Sequence, residues 1–270
     1  MNNIMLIRNL SLLLVAWVPC VHSQLPAPDA AEQAAIISRM RAAALNYADQ
    51  LQDFICTQTT ARSADGSSTG KHYKPLETQE LELAYVAHRE RTRLLKVNGE
   101  TTNLEKRIKQ GYFTSGGEFG SKLQQIFDPK ANAEFQWDHE EQSTGKRSCV
   151  FRYNVPLATT NMVMQVNLQY IKLGYHGFVY ADCDSGAVTR FQMESDVPTI
   201  KEHGHDIKIG SQIEVRYGLV IIGAKEFLLP LEALSIGRFH TTLTKAEIRF
   251  QEYRKYDSSS TITFDSPPKY

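Results

Sequence analysis

The sequence holds few of the patterns that mark a catalyst. It has no G-x-S-x-G elbow, no H-E-x-x-H pair, no phosphate-binding glycine loop and no C-x-x-C. No cofactor is implied by any motif. A charge imbalance is also missing: Lys+Arg and Asp+Glu both number 30. A balanced surface exerts no strong pull on nucleic acid or anionic lipid, so a nucleic-acid partner is not expected. Beyond the N-terminus no stretch is long and apolar enough to span a bilayer. No internal repeat is visible. No proline- or glycine-rich linker divides the chain, which favours one domain over two.

What is present begins with "MNNIMLIRNLSLLLVAWVPCVHSQ". Arg8 gives a short positive region, and Leu10 to Val18 an apolar stretch too short to cross a bilayer. Val21 and Ser23 are small enough for a signal-peptidase site, so residues 1–23 read as a cleaved export signal. A lipoprotein anchored at Cys20 is the rival, and Pro19 spoils its small-residue motif. The mature chain would be periplasmic or secreted, with a net charge of about −1 after the loss of Arg8. Cys56, Cys149 and Cys183 would remain, enough for one bridge and one leftover thiol.

Asp29 followed by Glu32 reads as a capping box. Ile37, Met40, Ala44, Tyr47 and Leu51 then recur at helical spacing, which predicts a helix ending near Leu51. A first strand is expected over residues 54–62. From there the period is two. Leu81, Leu83 and Tyr85 share a face, as do Cys149, Phe151, Tyr153 and Val155. So do Met162, Met164, Val166, Leu168 and Tyr170, and also Ile213, Val215, Tyr217 and Leu219. This is the pattern of antiparallel sheet with one buried face. Asn98-Gly99, Thr144-Gly145 and Ser185-Gly186 read as hairpin turns. One segment departs: Phe119, Leu123, Ile126 and Phe127 are helically spaced and stopped by Pro129. The loop 64–70 and the tail 258–270 are polar and expected to be mobile, the tail disordered.

The expected fold is therefore α+β and mostly antiparallel β. A single β-rich domain over residues 24–257 would form a large curved sheet, a half-barrel. An N-terminal helix and one short inserted helix would lie on its concave side. So large a sheet must curl or be covered to bury its apolar face. Two helices cover only part of it. An uncovered concave surface would be an apolar groove.

Several residues are candidates for chemistry. "GFVYADCDSGAV" places Asp182 and Asp184 in the Asp-x-Asp spacing of a phosphatase nucleophile motif or a calcium loop. The surrounding strands favour a plain turn, with Asp and Ser bonding their own backbone and Gly186 supplying positive φ. If residues 149–155 pair antiparallel with residues 178–183, Cys149 and Cys183 become neighbours. Their bridge is the preferred one, and Cys56 is left as a buried thiol. His203, His205 and Asp206 in "KEHGHD" are weak zinc candidates, with a solvated loop as the alternative. Glu118 is either a catalytic carboxylate or a group favoured near a helix start. Trp137, Phe151, Tyr153, Phe178 and Tyr180 fall at strand spacing and read as core or groove lining.

"FICTQTTAR", "LLKVNGE", "TSGGEFGSKLQQIF", "FRYNVP", "GYHGFVYADCDSGAVTRFQMESDVP" and "FLLPLEA" resemble a group of exported bacterial proteins of uncharacterised activity. Where that group commonly has Asp-Pro-x-Thr-Gly, this chain has Cys183. The helix-then-meander order and the turn from Asp182 to Arg190 are more distantly similar to LolA-like and RseB-like lipoprotein-carrier domains. That resemblance implies a half-barrel holding acyl chains. The expected function is a non-enzymatic protein that binds a lipid, lipoprotein or other apolar ligand in a concave groove. Met40, Ala44, Tyr47, Leu123 and Phe127 would form its lid or lining, with core packing as the alternative for each. The competing readings are an envelope interaction or sensor module and an exported hydrolase.

Overall fold

A computed structural model describes residues 27–102, 116–143, 145–166 and 169–256. The export signal, the tail, Thr144 and Leu168 lie outside the described residues.

Helix α1 spans Ala30–Gln50 and is opened by Asp29, whose carboxylate accepts from the Glu32 N–H at 2.8 Å. It buries Ile36, Met40, Ala44 and Tyr47, so Ile36 takes the inward place expected of Ile37. Four strands follow: β1 (Phe54–Asp65), β2 (Lys74–Val86), β3 (Arg89–Val97) and β4 (Glu100–Thr101). The short helix α2 (Ser121–Phe127) and a 3-10 turn (Pro129–Ala131) precede the remaining strands. These are β5 (Glu134–Ser143), β6 (Lys146–Val155), β7 (Val163–Val166) and β8 (Gln169–Lys172). Next come β9 (Tyr175–Asp182), β10 (Val188–Ser195) and β11 (Thr199–Glu202). The long strands β12 (His205–Ile222), β13 (Lys225–Phe239) and β14 (Thr242–Lys255) end the chain.

All but β7 and β8 join one 12-stranded antiparallel sheet, in the order β4-β3-β2-β1-β14-β13-β12-β10-β9-β6-β5, with β11 beside β12. The first strand therefore pairs with the last, Thr60 opposite Ile248. The two ends of that order stay apart, so the sheet is a curved half-barrel rather than a closed one. The two helices lie against its apolar face. Phe54, Tyr85, Phe119, Phe250 and Tyr253 form an aromatic cluster there. Each such ring contributes roughly 1.5–3 kcal/mol by leaving water.

The period-two reading holds in the second half of β6, where Phe151, Tyr153 and Val155 are buried and Arg152 and Asn154 are exposed; in the first half Ser148, Cys149, Val150 and Phe151 are all buried. It fails in two further places, each for a local reason. Leu219 is 60% exposed instead of following Tyr217 inward. The register against β13 shifts between Arg216 and Tyr217, where Pro230 enters the partner strand. Leu231 lies over Gly218, so that a Cβ there would sit 2.4 Å from Leu231 Cδ1. Beyond this point Ile222 is the buried residue. Residues 162–170, expected as one strand, instead form the β7–β8 hairpin, and Tyr170 is 73% exposed.

The loop after β1 is organised by Asp65. Its carboxylate accepts from the N–H of Ser67, Lys71 and His72 and from the hydroxyls of Ser67 and Thr69.

Candidate functional site

A cleft of about 660 Å³ lies between α1, α2, the segment leading into β7, and the start of β12. That volume falls in the range of small-molecule sites. Its apolar wall is Leu45, Met162, Val163 and Met164, and its polar wall comes largely from α2: Lys122, Gln124 and Gln125. Asp128, Asn161 and Ser211 complete it.

The local sequence explains why this wall stands where it does. Gly120, the N-cap of α2, has φ 116°, and a Cβ there would lie 3.0 Å from the Tyr47 ring. Glycine thus lets α2 pack directly on α1. The facing segment is stitched down by its own polar groups. Thr159 Oγ1 donates to the Ala131 carbonyl at 2.8 Å and Thr160 Oγ1 to the Leu173 carbonyl at 2.5 Å. Tyr175 places its hydroxyl 2.6 Å from the Gln125 carbonyl and 2.9 Å from Asn161 Oδ1. Asn161 Nδ2 donates to the same carbonyl at 3.1 Å. The rim is therefore fixed on both sides.

Behind α2 sits a charged group that the sequence did not mark. Glu90 on β3 faces Glu118, and the Gly117 N–H donates to Glu90 Oε2 at 3.5 Å. Burial, then the negative charge of Glu118, pushes the Glu90 carboxyl up to about 7, against the N–H groups of Gly117 and Phe119. Glu118 itself is 1% exposed, and Tyr217 donates to its carbonyl at 2.8 Å. It lies inside the fold rather than at an open helix start. Burial lowers the pKa of Lys122, and the charge of Glu118 opposes that shift.

The expected lining residues are all buried. Met40, Leu123 and Phe127 are within the core, while Ala44, Tyr47 and Leu123 also border a smaller crevice of about 240 Å³ between α1 and the β12–β13 turn. Tyr47 closes one side of it by donating to the Leu228 carbonyl at 2.8 Å.

Cys149 and Cys183 are joined in a disulfide, with their Cα atoms 5.1 Å apart. The register explains the meeting: Cys149 faces Ala181 on β9, and the Cys183 N–H donates to the Arg147 carbonyl. Cys56 is a free, buried thiol. Asp182 is turn chemistry. Its Oδ1 accepts from the N–H of Asp184 and Ser185 and from the Ser185 hydroxyl. Burial opposes its ionisation, yet these donors outweigh it and hold the carboxyl below its ordinary value. His203 and Gly204 both have positive φ and make the β11–β12 hairpin turn, with Asp206 paired to Lys201. Among the described residues, His203, His205 and Asp206 do not converge as metal ligands. Among the described residues the one convergent group is Glu140 with Cys149 and Cys183, whose sulfurs are committed to each other.

No family model matches the chain, and no curated protein matches it in sequence. Among solved structures it is similar to a domain from Vibrio parahaemolyticus described as an outer membrane lipoprotein-sorting protein. That match has 11% identity and a TM-score of 0.34, covering 81% of this chain and 90% of that one. It is also similar to a LolA superfamily protein from Nitrosomonas europaea, at 7% identity and a TM-score of 0.32, covering 83% and 93%. A DUF1329 family protein from Desulfovibrio piger matches at 8% and 0.35, covering 84% and 95%.

Proposed function

We propose that this chain is an exported binding protein that holds an acyl-bearing lipid or lipoprotein in the cleft between its two helices and the sheet. One observation carries the reading. A cleft of about 660 Å³ lies between the two helices, the β7 segment and β12, with Leu45, Met162, Val163 and Met164 along one side. An acyl chain entering it gains about 0.8 kcal/mol for each CH₂ removed from water. Methionine suits such a wall because its unbranched side chain adapts to different occupants. A disulfide between Cys149 and Cys183 is consistent with export. Among the described residues no helix is long and apolar enough to cross a membrane, which says nothing of strands.

Native mass spectrometry of protein purified from its own envelope, followed by lipid extraction, tests this. Co-purifying acyl species support the reading. Protein that carries none, and that takes up none from detergent-solubilised lipid, sinks it. A bound protein partner without lipid would favour an interaction module instead.

A further inference from the structure

We propose that the cleft selects amphiphiles with an anionic headgroup, Lys122 taking the charge and the Leu45, Met162, Val163 and Met164 wall taking the chain. The proposal rests on the acyl-binding reading above and adds the headgroup class.

Lys122 is held in the cleft wall rather than waving in solvent. Its stem runs past Gly117, where the backbone is left-handed at φ 94°, and a Cβ there would meet Lys122 Cγ at 3.3 Å. Glycine leaves room for the stem. An ammonium carries three donors. The hydrogen bond that Lys122 makes within the described residues goes to a neutral amide, Gln125 Oε1, at 3.3 Å. That is long for a charged donor. Burial has removed part of its water, and the charge of Glu118 opposes the resulting fall in its pKa. Such a cation gains from any anion that enters the cleft.

Asp128 is the acid in the same wall, and its charge restricts an incoming anion to the Lys122 side of the cleft. Its Oδ1 accepts from the Lys130 N–H at 2.9 Å and caps the 3-10 turn. Gln125 Oε1 accepts from the ammonium, and the Gln125 main chain is tied to Asn161 and Tyr175 on the facing rim. A neutral ester headgroup would leave the ammonium less solvated and unpaired, which costs binding energy. A carboxylate or a phosphate would each restore what burial removed, and both present the same chemistry to Lys122.

The test is calorimetric titration of the full chain with three probes of equal acyl length: decanoate, decyl phosphate and neutral 1-decanoylglycerol. The expected result is that at least one anion binds about tenfold more tightly than the neutral ester. Lys122→Met removes that preference, while Lys122→Arg keeps it. Preference for one anion over the other identifies carboxylate or phosphate as the source. Equal binding of all three probes to the unaltered chain overturns the proposal, as does a preference that survives Lys122→Met. In both cases the acyl reading stands. If none of the three probes binds, the acyl reading falls and takes the headgroup proposal with it. The comparison between probes needs no variant, so the test holds even if Lys122→Met folds poorly.

Discussion

Arg39 on α1 donates to the main-chain carbonyl of Cys183 at 3.0 Å. The helix is thereby tied to the β9–β10 turn, and through the disulfide to β6. The bridge spans 34 residues. Constraining a loop of that length in the unfolded chain stabilises the folded one by about 2–4 kcal/mol. Cys149→Ala with Cys183→Ala should lower the unfolding free energy by that amount in denaturant titration. Reductant should destabilise the unaltered protein to match and leave the double variant unmoved. A double variant as stable as the parent would mean that the turn is held by its hydrogen bonds alone.

Gly186 lies under the same helix. A Cβ there would come within 2.5 Å of the Arg39 carbonyl carbon and 2.6 Å of the Met40 nitrogen, both backbone atoms, and its φ is +73°. Gly186→Ala must therefore push α1 off the turn and strain the backbone together. A loss of about 2–4 kcal/mol is expected. Gly204 has φ +81° but open space around it, so Gly204→Ala should cost only the strain of its turn, about 1 kcal/mol. Thermal melts of the two variants check the order. Equal losses would mean that the helix yields without cost.

These contacts show what the sequence could reveal. Alternation in β6 was legible because over residues 151–155 one face meets the core and the other meets water, and antiparallel pairing with β9 brings Cys149 to Cys183. The N-cap of α1 was legible from Asp29 because capping is local. The β7–β8 hairpin was not, since alternation in residues 162–170 is equally compatible with one strand or two. Glu90 read as one charge in a polar run, and only the fold sets it against Glu118. A groove was expected wherever the helices left the sheet uncovered, lined by Met40, Ala44, Tyr47, Leu123 and Phe127; those five are buried, and the cleft of about 660 Å³ has a different wall. Leu45, Lys122, Met164 and Ser211 are far apart in the chain, and no local pattern joins them.

Asp65 predicts a pH dependence. The Ser67 hydroxyl, against the cost of burial and together with N–H groups that include Ser67 and His72, holds its carboxyl far below the ordinary 3.8. A depressed folded pKa means a contribution fully present above 3.8 and lost as pH falls through the folded value. Asp65→Asn keeps the shape but turns an NH₂ toward donors, so it should lower Tm at neutral pH. In strong acid the gap between the two proteins should shrink. Melts from neutral pH down into strong acid check this. A gap that stays constant with pH would show that the loop's donors do not depend on the charge.

Met164 separates the cleft from the rest of the apolar surface. It is half-buried on β7 and lines the cleft, whereas Leu219 on β12 is 60% exposed and lies outside it. Met164→Glu places a carboxylate where an acyl chain would lie, so binding of neutral 1-decanoylglycerol should weaken tenfold or more, roughly the 1.4 kcal/mol or greater cost of burying that charge. Using the neutral ester keeps simple charge repulsion with an anionic headgroup out of the comparison. The side chain is not in the tightly packed interior, so Tm should move by only about 2 °C. Leu219→Glu changes an exposed apolar residue in the same way and should leave binding unchanged. If instead Leu219→Glu weakens binding and Met164→Glu does not, the acyl chain is held on the outer surface of β12, and the cleft is a gap between packed elements.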